Sequence, residues 1–427
     1  MGSGQQHTNQ RIGVIGAGAS GLSAAHYLQR AGYGNVTVLE RAQQVGGKCC
    51  SVSVGPHVYE LGAVLATRNY DTTLELMESV GVEAVPTDGM HCFDPDGHPI
   101  DLFPRSQIPR LLWQVLLRYA WATQVRYRRI NEPGLVGIDP DLYEPFARFA
   151  GQHALPSLGE ALALPFTGFG YGYFDEIPTA YVMKYLDLHM IESLISPRRR
   201  MVWPDGVQSL WVRLAQELDV RTGVTIRSIT RQESVLVETD RGQWEFDKLI
   251  VTSPLDEALA FLDASATERR LFSAIRTYNY WVLLCSIDDM PEQSGYLPTH
   301  FVAERSGHIM MWYHRWPGQP LYALYVLDDG TRSHEQIERT CAEDVARLGG
   351  RLEQVVDTRC WKYFPHVGPE DMAAGYYETL EALQGTQNTY YAGEIMSFST
   401  IELCAQYSHS LVQRFFTGQS SRAGLPA

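Results

Sequence analysis

The sequence predicts a protein of mixed class, α/β plus α+β, in which a discontinuous domain is interrupted by two insertions. Residues 11–85 alternate short β-branched runs with helical patterns, as a parallel sheet with crossover helices requires. Residues 106–199 are mostly helical in period, and short strands return after residue 220. A chain of 427 residues also exceeds the size at which one hydrophobic core stops growing, so two or three domains are expected.

Composition narrows the class of protein and its partners. Hydrophobic residues make up 45% and charged residues 20%, which is typical of an ordinary globular protein. A net charge of −14 argues against nonspecific attraction to nucleic acid, so no nucleic-acid partner is expected. The seven cysteines are odd in number and scattered, which indicates reduced thiols, and Cys49 and Cys50 are adjacent rather than spaced as zinc ligands. With no signal-peptide pattern and no apolar run near the ~18 residues of a membrane span, we expect a cytoplasmic protein without a metal site.

The first element is a strand that leads into a glycine-rich turn. The apolar run 11–15 is followed by Gly16-Ala-Gly18-Ala-Ser20-Gly21, which opens a helix reaching about Ala31. In this pattern Gly16 allows the tight turn, Gly18 lets the backbone approach a pyrophosphate, and Gly21 lets the helix pack on the strand. The free N–H groups at the start of such a helix favour a phosphate group.

The second strand, 36–39, ends in Glu40, nineteen residues after Gly21. A carboxylate at this spacing is suited to accept hydrogen bonds from an adenosine ribose. Strand, glycines, helix, strand and acid therefore predict a Rossmann-like dinucleotide site, against the alternative of a glycine-rich turn without a ligand. NAD and FAD use the same unit, so these residues alone leave the choice between them open.

Later segments predict the remaining elements. Three short strands are expected to return the chain to the first sheet, at 224–229, 235–239 and 249–252. Beyond them the patterns predict two strands, a helix, and a closing strand, turn and helix, at 280–287, 321–327, 333–348 and 389–416. The simplest assembly is a cofactor-binding domain, a helical domain and a sheet domain, at 11–85, 200–258 and 385–419; 106–199; and 86–105 and 259–384, respectively.

Gly46-Gly47-Lys48, six residues after Glu40, resembles the extension found in flavoproteins of the amine oxidase superfamily, which favours FAD over NAD. The segment 59–63 resembles the loop near the flavin, Val224 matches the position of a backbone contact to adenine, and 391–394 resembles the C-terminal motif whose acid bonds the ribityl chain. Covalent members carry a cysteine just ahead of that motif, whereas Thr389, Tyr390 and Tyr391 stand here, so noncovalent FAD is expected. The resemblance implies these FAD-binding residues: Gly16, Gly18, Ser20, Gly21, Glu40, Arg41, Gly47, Lys48, Gly62, Ala63, Val224, Gly393 and Glu394.

Within that superfamily the chain most resembles bacterial flavin-dependent polyunsaturated fatty acid double-bond isomerases, which form conjugated linoleic acid. The resemblance is carried by segments in the family's order along nearly the whole chain, at 165–175, 181–187, 313–316, 363–367 and 392–398. It implies a Rossmann-like FAD domain, a helical cap and a mixed-sheet substrate domain. It also implies that flavin N5 takes a hydride from a CH2 between double bonds and returns it to another carbon of the allylic cation. This chemistry needs aromatic faces and an apolar slot but no dedicated protein acid or base.

Two groups of residues follow from this resemblance. The candidate pocket consists of aromatic side chains, namely Phe169, Tyr171, Tyr313 and Phe364. The candidate substrate contacts are His91, Tyr173, Leu194, Trp312 and His314. Each ring alone is also consistent with core packing, and His314 and His366 with structural hydrogen bonding. Arg315 is a further candidate for bonding the flavin or a substrate oxygen.

Three departures from the relatives bear on the reaction. The family's carboxylate-binding arginine has no counterpart in 89–93, and Leu194 stands for a gating phenylalanine. Because arginine best matches a planar carboxylate, we expect a hydrophobic unsaturated substrate with another head group, such as an ester, amide or thioester, or a polyketide-like compound. Amine oxidases usually keep a lysine near flavin N5, and this chain has no lysine between 249 and 361, although Lys362 remains a candidate.

The stretch 102–131 contains six arginines and no acidic residue, interleaved with apolar side chains. One interpretation is that residues 106–130 contact an anionic membrane surface peripherally. The other is an ordinary cap helix with a buried apolar face and solvated arginines.

The sequence therefore leaves three hypotheses about function open: an isomerase, an oxidase or dehydrogenase, and a non-catalytic protein that keeps the fold. The intact glycines and Glu40 count against the third. The sequence leaves the oligomeric state open.

Overall fold

The computed structural model describes residues 9–87, 89–101, 106, 108–195 and 200–417. Within them, the strands in chain order are β1 (Arg11–Ile15), β2 (Asn35–Leu39), β3 (Ser51–Val54), β4 (His57–Glu60), β5 (Ala66–Thr67), β6 (Val85–Pro86), β7 (His91–Phe93), β8 (Pro99–Ile100), β9 (Arg200–Val202), β10 (Asp219–Arg221), β11 (Ile226–Arg231), β12 (Val235–Thr239), β13 (Gly242–Phe246), β14 (Lys248–Val251), β15 (Arg276–Asp288), β16 (Gly295–Tyr296), β17 (Ile309–Tyr313), β18 (Leu321–Asp328), β19 (Arg351–His366) and β20 (Thr389–Tyr391).

The α-helices of the same residues are α1 (Ala19–Arg30), α2 (Asp71–Ser79), α3 (Ile108–Trp113), α4 (Phe146–Gln152), α5 (Pro156–Phe166), α6 (Thr179–Tyr185), α7 (Leu188–Ile195), α8 (Gln208–Gln216), α9 (Leu255–Ala258), α10 (Ala266–Ser273), α11 (His334–Arg347), α12 (Pro369–Ala373), α13 (Tyr376–Glu381) and α14 (Ile401–Phe416). None of the helices described is both long and apolar enough to cross a bilayer.

A five-stranded parallel sheet, in the order β10-β2-β1-β14-β20, forms the core of the first domain. Its strands lie within the predicted segments 11–85, 200–258 and 385–419. Ile12 and Val14 of the central strand are fully buried, because the sheet is covered on both faces. The carboxyl ends of these parallel strands meet at one edge, which is where open α/β sheets bind ligands.

Of the three segments predicted to return to that sheet, 249–252 does so as β14, whereas 224–229 and 235–239 do not, so these two predictions were wrong. The strands β11, β12 and β13 lie apart from the parallel sheet. They form a separate antiparallel sheet in the order β11-β12-β13, while β10 and β14 on either side return to the parallel sheet. Val224 lies just before β11, where its N–H donates to the carbonyl of Glu40 at 2.8 Å. The connections between these strands are short, so the strands pair as antiparallel hairpins. Parallel strands would need a much longer crossover connection.

A seven-stranded mixed sheet, in the order β19-β15-β18-β17-β16-β7-β8, forms the second domain. Alternation along β15 sends Tyr280 and Val282 to one apolar cluster and Leu283 and Cys285 to another. The second cluster includes buried residues of α11, so this helix covers the face of the sheet that points away from the first domain.

The helical insertion begins with α3, which continues as π-helical turns over Gln114–Tyr119 and Ala122–Arg126. Helices α4 to α7 follow, and the fully buried Phe146, Phe149 and Phe166 fill the space between them.

Candidate functional site

A cavity of about 590 Å³ is lined both by the carboxyl edge of the parallel sheet and by the mixed sheet. Of the residues predicted to bind the cofactor, all but Gly21 line it: Gly16, Gly18, Ser20, Glu40, Arg41, Gly47, Lys48, Gly62, Ala63, Val224, Gly393 and Glu394. Gly21 lies directly behind the turn, where a Cβ atom would stand 1.9 Å from the carbonyl oxygen of Gly16. Helix α1 therefore approaches β1 more closely than any side chain permits.

The glycine-rich turn presents bare backbone to the cavity. Gly18 is the N-cap of α1, and no side chain caps this helix start. Gly46 forms a bridge with Gly18, and its N–H donates to the carbonyl of Ala17 at 2.8 Å. A Cβ atom on Gly47 would lie 3.3 Å from the Cα atom of Gly18. Two glycine segments thus form a wall that leaves uncapped N–H groups for an anion, and this wall fits the pyrophosphate of a dinucleotide.

Glu40 braces that wall from the end of β2. One carboxylate oxygen accepts the Ala17 N–H at 2.7 Å, and the other accepts the Ala42 N–H at 2.8 Å. Two lone pairs on this carboxylate remain available at the cavity wall for ribose hydroxyls. Arg41 points outward, with its side chain 74% exposed, and forms an ion pair with Glu257 at 3.2 Å.

Lys48 and Glu394 meet across the cavity, although they are 346 residues apart in the chain. The Lys48 Nζ lies 2.5 Å from Glu394 Oε2, and both side chains are about a fifth exposed. Gly62 supports the lysine segment from behind, since a Cβ atom there would lie 1.9 Å from the Lys48 carbonyl oxygen. The Ala63 N–H donates to the same carbonyl at 2.9 Å. Three distant motifs therefore converge on one charged pair.

The other end of the cavity is aromatic. Tyr363 stacks between Tyr171 and Tyr280, with ring centroids 5.5 Å and 4.9 Å away and interplanar angles of 20°. Tyr185 and Tyr325 complete a group that we call the tyrosine chamber. Burial raises the pKa of all five phenols well above the ordinary value of 10. The chamber is therefore uncharged, and its rings present neutral faces.

Two of the four predicted pocket residues do not line the cavity. Phe169 and Tyr171 line it, but Phe364 is fully buried behind Tyr171 while its neighbour Tyr363 reaches the cavity. The backbone of β19 departs from the regular strand conformation at Phe364, where φ is 48°. Tyr313 lies on β17, one strand beyond β19, β15 and β18, the three neighbouring strands of the mixed sheet that line the cavity. These two predictions were wrong because neither the irregular backbone at Phe364 nor the order of the strands in the sheet is visible in the sequence.

The predicted substrate contacts also lie elsewhere. Trp312 is fully buried in the cluster under α11, and its Nε1 donates to the Gln293 carbonyl at 2.8 Å. His314 has Nδ1 2.6 Å from the Glu292 carbonyl and Nε2 2.8 Å from the Gln319 carbonyl, so both ring nitrogens serve the fold.

The remaining three predicted contacts fall in three different environments. His91 is exposed on β7, away from the cavity. Tyr173 is buried in the apolar cluster of the mixed sheet, with its ring edge toward Tyr278. The side chain of Leu194 lies outside the described residues.

Arg315 and His366 have structural partners. The Arg315 guanidinium donates to Glu60 at 2.9 Å and to the carbonyls of Trp203 and Pro204, with its side chain 5% exposed. Arg315 therefore ties β4 to the loop after β9 rather than reaching a ligand. Burial lowers the pKa of His366 to about 4, and its Nδ1 lies 2.8 Å from the Phe364 carbonyl, so this histidine is neutral at physiological pH.

Several cavity residues carried only weak signals in the sequence. Tyr185 and Tyr363 belong to segments that resemble the isomerases, but Tyr280 and Tyr325 are two of 23 tyrosines with no motif around them. Lys362 lines the cavity and forms an ion pair with Asp256. Its ammonium group is thus already engaged at the wall of the cavity.

The sequence predicted no metal site, and one cluster of side chains bears on this. Ligand atoms of His300, His308 and Asp344 all lie within 4.8 Å of one another. Hydrogen bonds account for them: His308 Nδ1 lies 3.0 Å from Asp344, Asp344 also accepts the Ile309 N–H at 3.0 Å, and His300 Nδ1 lies 2.8 Å from the Ile309 carbonyl. This cluster joins α11 to the start of β17.

A protein-family model covers most of this chain. The family model described as "Flavin containing amine oxidoreductase" matches residues 19–406. The chain belongs to this family of flavin-dependent oxidoreductases, and its cofactor is a flavin. The bare glycine wall, the braced Glu40 and the chamber next to them fit such a cofactor on structural grounds as well.

Three individual proteins are similar to this chain over different shares of its length. The crystal structure of the CLA-producing fatty acid isomerase from P. acnes is similar over 96% of this chain and 99% of that chain, with 34% identity and a TM-score of 0.91. This confirms the resemblance seen in the sequence. The FAD-dependent oxidoreductase dpasF of Apiospora sacchari is 26% identical over 90% of this chain and 88% of its own length. The polyenoic fatty acid isomerase of Ptilota filicina is 42% identical, but over 17% of this chain and 14% of its own.

Proposed function

We propose that this protein is an FAD-dependent double-bond isomerase that acts on a long unsaturated acyl or polyketide-like substrate. The observation that carries the proposal is the 34% identity to the P. acnes fatty acid isomerase across almost the full length of both chains, with a TM-score of 0.91. The uncharged tyrosine chamber beside the glycine wall supports it, because an apolar chain and a delocalised cation both suit aromatic faces.

The proposal includes noncovalent FAD. A covalent link needs a nucleophilic thiol, and the cysteines on the cavity wall are poor ones. Burial raises the pKa of Cys404 to about 12 and that of Cys360 to about 11, and it raises the pKa of the Cys49 thiol as well. All seven cysteines are free thiols, which is consistent with the cytoplasmic location expected from the sequence and included in this proposal.

The chain's own residues have separate roles in this scheme. Bound flavin supplies a hydride acceptor and donor, which is the chemistry that moving a double bond without net oxidation requires. The glycine wall and Glu40 hold the dinucleotide, and the Lys48–Glu394 pair lies where the two ends of the cavity meet. The stacked rings of Tyr171, Tyr363 and Tyr280 exclude water and give this end of the cavity an aromatic wall for the reacting carbons. No residue of the chamber is required to move a proton.

A second candidate function is FAD-dependent oxidation of the substrate. The Apiospora sacchari relative is named an FAD-dependent oxidoreductase and aligns along 90% of this chain, which favours net oxidation of the substrate with electrons passed to an acceptor. An amine oxidase is less well supported, because Lys362, the lysine of the mixed sheet that lines the cavity, forms an ion pair with Asp256.

The substrate class is tested with a panel of polyunsaturated acyl compounds that differ only in head group. Holoenzyme is incubated with linoleic acid, its methyl ester and its pantetheine thioester, and the ultraviolet absorbance of a conjugated diene is followed. We expect conversion of the ester or the thioester and slow or no conversion of the free acid. Tight binding and rapid conversion of linoleic acid itself would overturn the proposed head group, and no conjugated product from any compound would count against the isomerase.

A further inference from the structure

A stripe of exposed apolar side chains runs along the segment that begins with α3. Trp113, Leu117, Trp121 and Val125 are 46%, 61%, 53% and 60% exposed, and they follow one another every four residues. Among the described residues, the other exposed large apolar side chains are four scattered valines. Single exposed apolar residues are common on protein surfaces, but a row of them is not. We therefore expect the apolar stripe to contact a partner.

The opposite side of the same segment is buried in the protein. Val115, Tyr119, Ala122 and Tyr127 are at most 7% exposed and belong to the main apolar core. The segment therefore already has a core face, and the apolar stripe is a second, outward face. Its π-helical turns widen the helical repeat, which keeps residues spaced by four on one side of the helix.

Positive charge surrounds the apolar stripe. Arg110 precedes it, and Arg128 and Arg129 follow it, all exposed and without an ion pair in the part of the chain that the structure describes. Arg118 lies over the Trp113 ring at 4.5 Å, and Arg126 pairs with Asp141 at 2.8 Å. No acidic residue occurs between 102 and 131, in a chain whose net charge is −14. The basic patch is thus local and opposite in sign to the rest of the protein.

This combination points to one kind of partner. Tryptophans sit at the boundary between lipid headgroups and acyl chains, and arginines attract anionic headgroups. A second copy of this chain would bring like-charged arginines together across the same stripe. We infer that the apolar stripe and its flanking arginines dock the protein on an anionic phospholipid surface.

The segment that carries the apolar stripe is also joined to the cavity wall. The Tyr119 hydroxyl donates to the Leu186 carbonyl at 2.8 Å, and the neighbouring Tyr185 belongs to the tyrosine chamber. On the basis of the proposed function, an acyl substrate held in the membrane would then lie on the side of the protein where this connection to the chamber begins.

The surface itself is tested by flotation of holoenzyme with substrate-free vesicles. Vesicles of phosphatidylcholine alone are compared with vesicles that contain phosphatidylglycerol. We expect flotation with the anionic vesicles and a loss of about tenfold or more in bound fraction for a Trp113→Ser/Trp121→Ser variant and for an Arg110→Gln/Arg128→Gln/Arg129→Gln variant. A Val212→Ser/Val356→Ser variant, which changes exposed apolar residues elsewhere, serves as the matched control and should bind like the parent.

Three outcomes of this experiment would contradict membrane docking. No flotation of the parent protein, equal flotation of parent and stripe variants, or a stripe-dependent dimer in the absence of vesicles would each overturn membrane docking. Flavin absorbance of the variants checks that they fold. Because the vesicles contain no substrate, flotation without any isomerase activity would reject the proposed function and leave the docking surface standing, and activity without flotation would do the reverse.

Discussion

The two ends of the cavity are built in opposite ways. At the nucleotide end, backbone N–H groups and bare glycines meet a charged ligand, and most of the wall comes from one stretch, residues 15–49. At the aromatic end, side chains meet an uncharged ligand, and the five tyrosines of the chamber come from separate places between residues 171 and 363. Cofactor binding thus depends on the absence of side chains, whereas substrate binding depends on aromatic side chains. Substitutions at the two ends should therefore fail in different ways.

The largest effect is expected for Gly21→Ala at the nucleotide end. The new Cβ atom would lie 1.9 Å from the Gly16 carbonyl oxygen, which is backbone and has little room to move. Overpacking of this kind costs roughly 1–3 kcal/mol or more, and it displaces the helix start that faces the phosphates. We expect FAD affinity to fall by at least about a hundredfold, measured by titration of the apoprotein. Gly34→Ala, where no atom lies within 4 Å, should bind FAD normally.

The junction between the two ends is probed by Lys48→Met and Glu394→Gln. Each change leaves a mostly buried group without its partner at 2.5 Å. We expect FAD affinity to fall about tenfold in each single variant, which corresponds to about 1.4 kcal/mol. The double variant should lose less than the sum of the two, as coupled neighbours do. Arg30→Met, which breaks an exposed pair with Glu75, is the control. Strictly additive losses would mean that the Lys48–Glu394 contact is irrelevant in the holoenzyme.

The aromatic end is probed at Tyr363, which stacks on both Tyr171 and Tyr280. Tyr363→Leu removes the middle ring of this aromatic wall, and we expect turnover per bound flavin to fall about tenfold, since contacts between a cation and desolvated rings are worth about 1–2 kcal/mol. Tyr363→Phe keeps the ring and its stacking and should stay within about threefold. Equal losses in both variants would show that the hydroxyl, rather than the ring, does the chemistry. FAD affinity should be nearly unchanged in both.

The smallest effect concerns the helical insertion, outside either end. Lys184 is buried and donates to the carbonyls of Ile130 and Glu132, and burial lowers its pKa from 10.5 to about 7. Between these values the unfolded chain binds more protons than the folded one, so this group makes stability rise with pH from about 7 upward. We expect the melting temperature to rise on the order of 3 °C more in the parent than in Lys184→Met between about pH 7 and about pH 9. Parallel pH profiles of the two proteins would contradict this.

The nucleotide end could be predicted from the sequence because its glycines, strands and acid are neighbours with fixed spacing. The structure gives α1 as Ala19–Arg30 and β2 as Asn35–Leu39, within a residue of the predicted bounds. The aromatic end could not be predicted in the same way. Tyr363 faces the cavity and Phe364 does not, at a point where the strand is irregular and φ of Phe364 is 48°, so strand alternation could not predict it. Tyr325 has no local motif at all. Trp312 shows the same limit, because alternation along β17 sends it to the face under α11.

The electron balance of a single anaerobic reaction tests the isomerase most directly. Holoenzyme and an accepted substrate are mixed without O2 or any other acceptor, and conjugated product and flavin absorbance are followed together. Many product molecules per enzyme with the flavin oxidised at steady state is the expected result, because each hydride taken from the substrate is returned to it. One product molecule per enzyme, with the flavin bleached until an acceptor is added, would contradict the isomerase and establish a desaturating oxidoreductase instead.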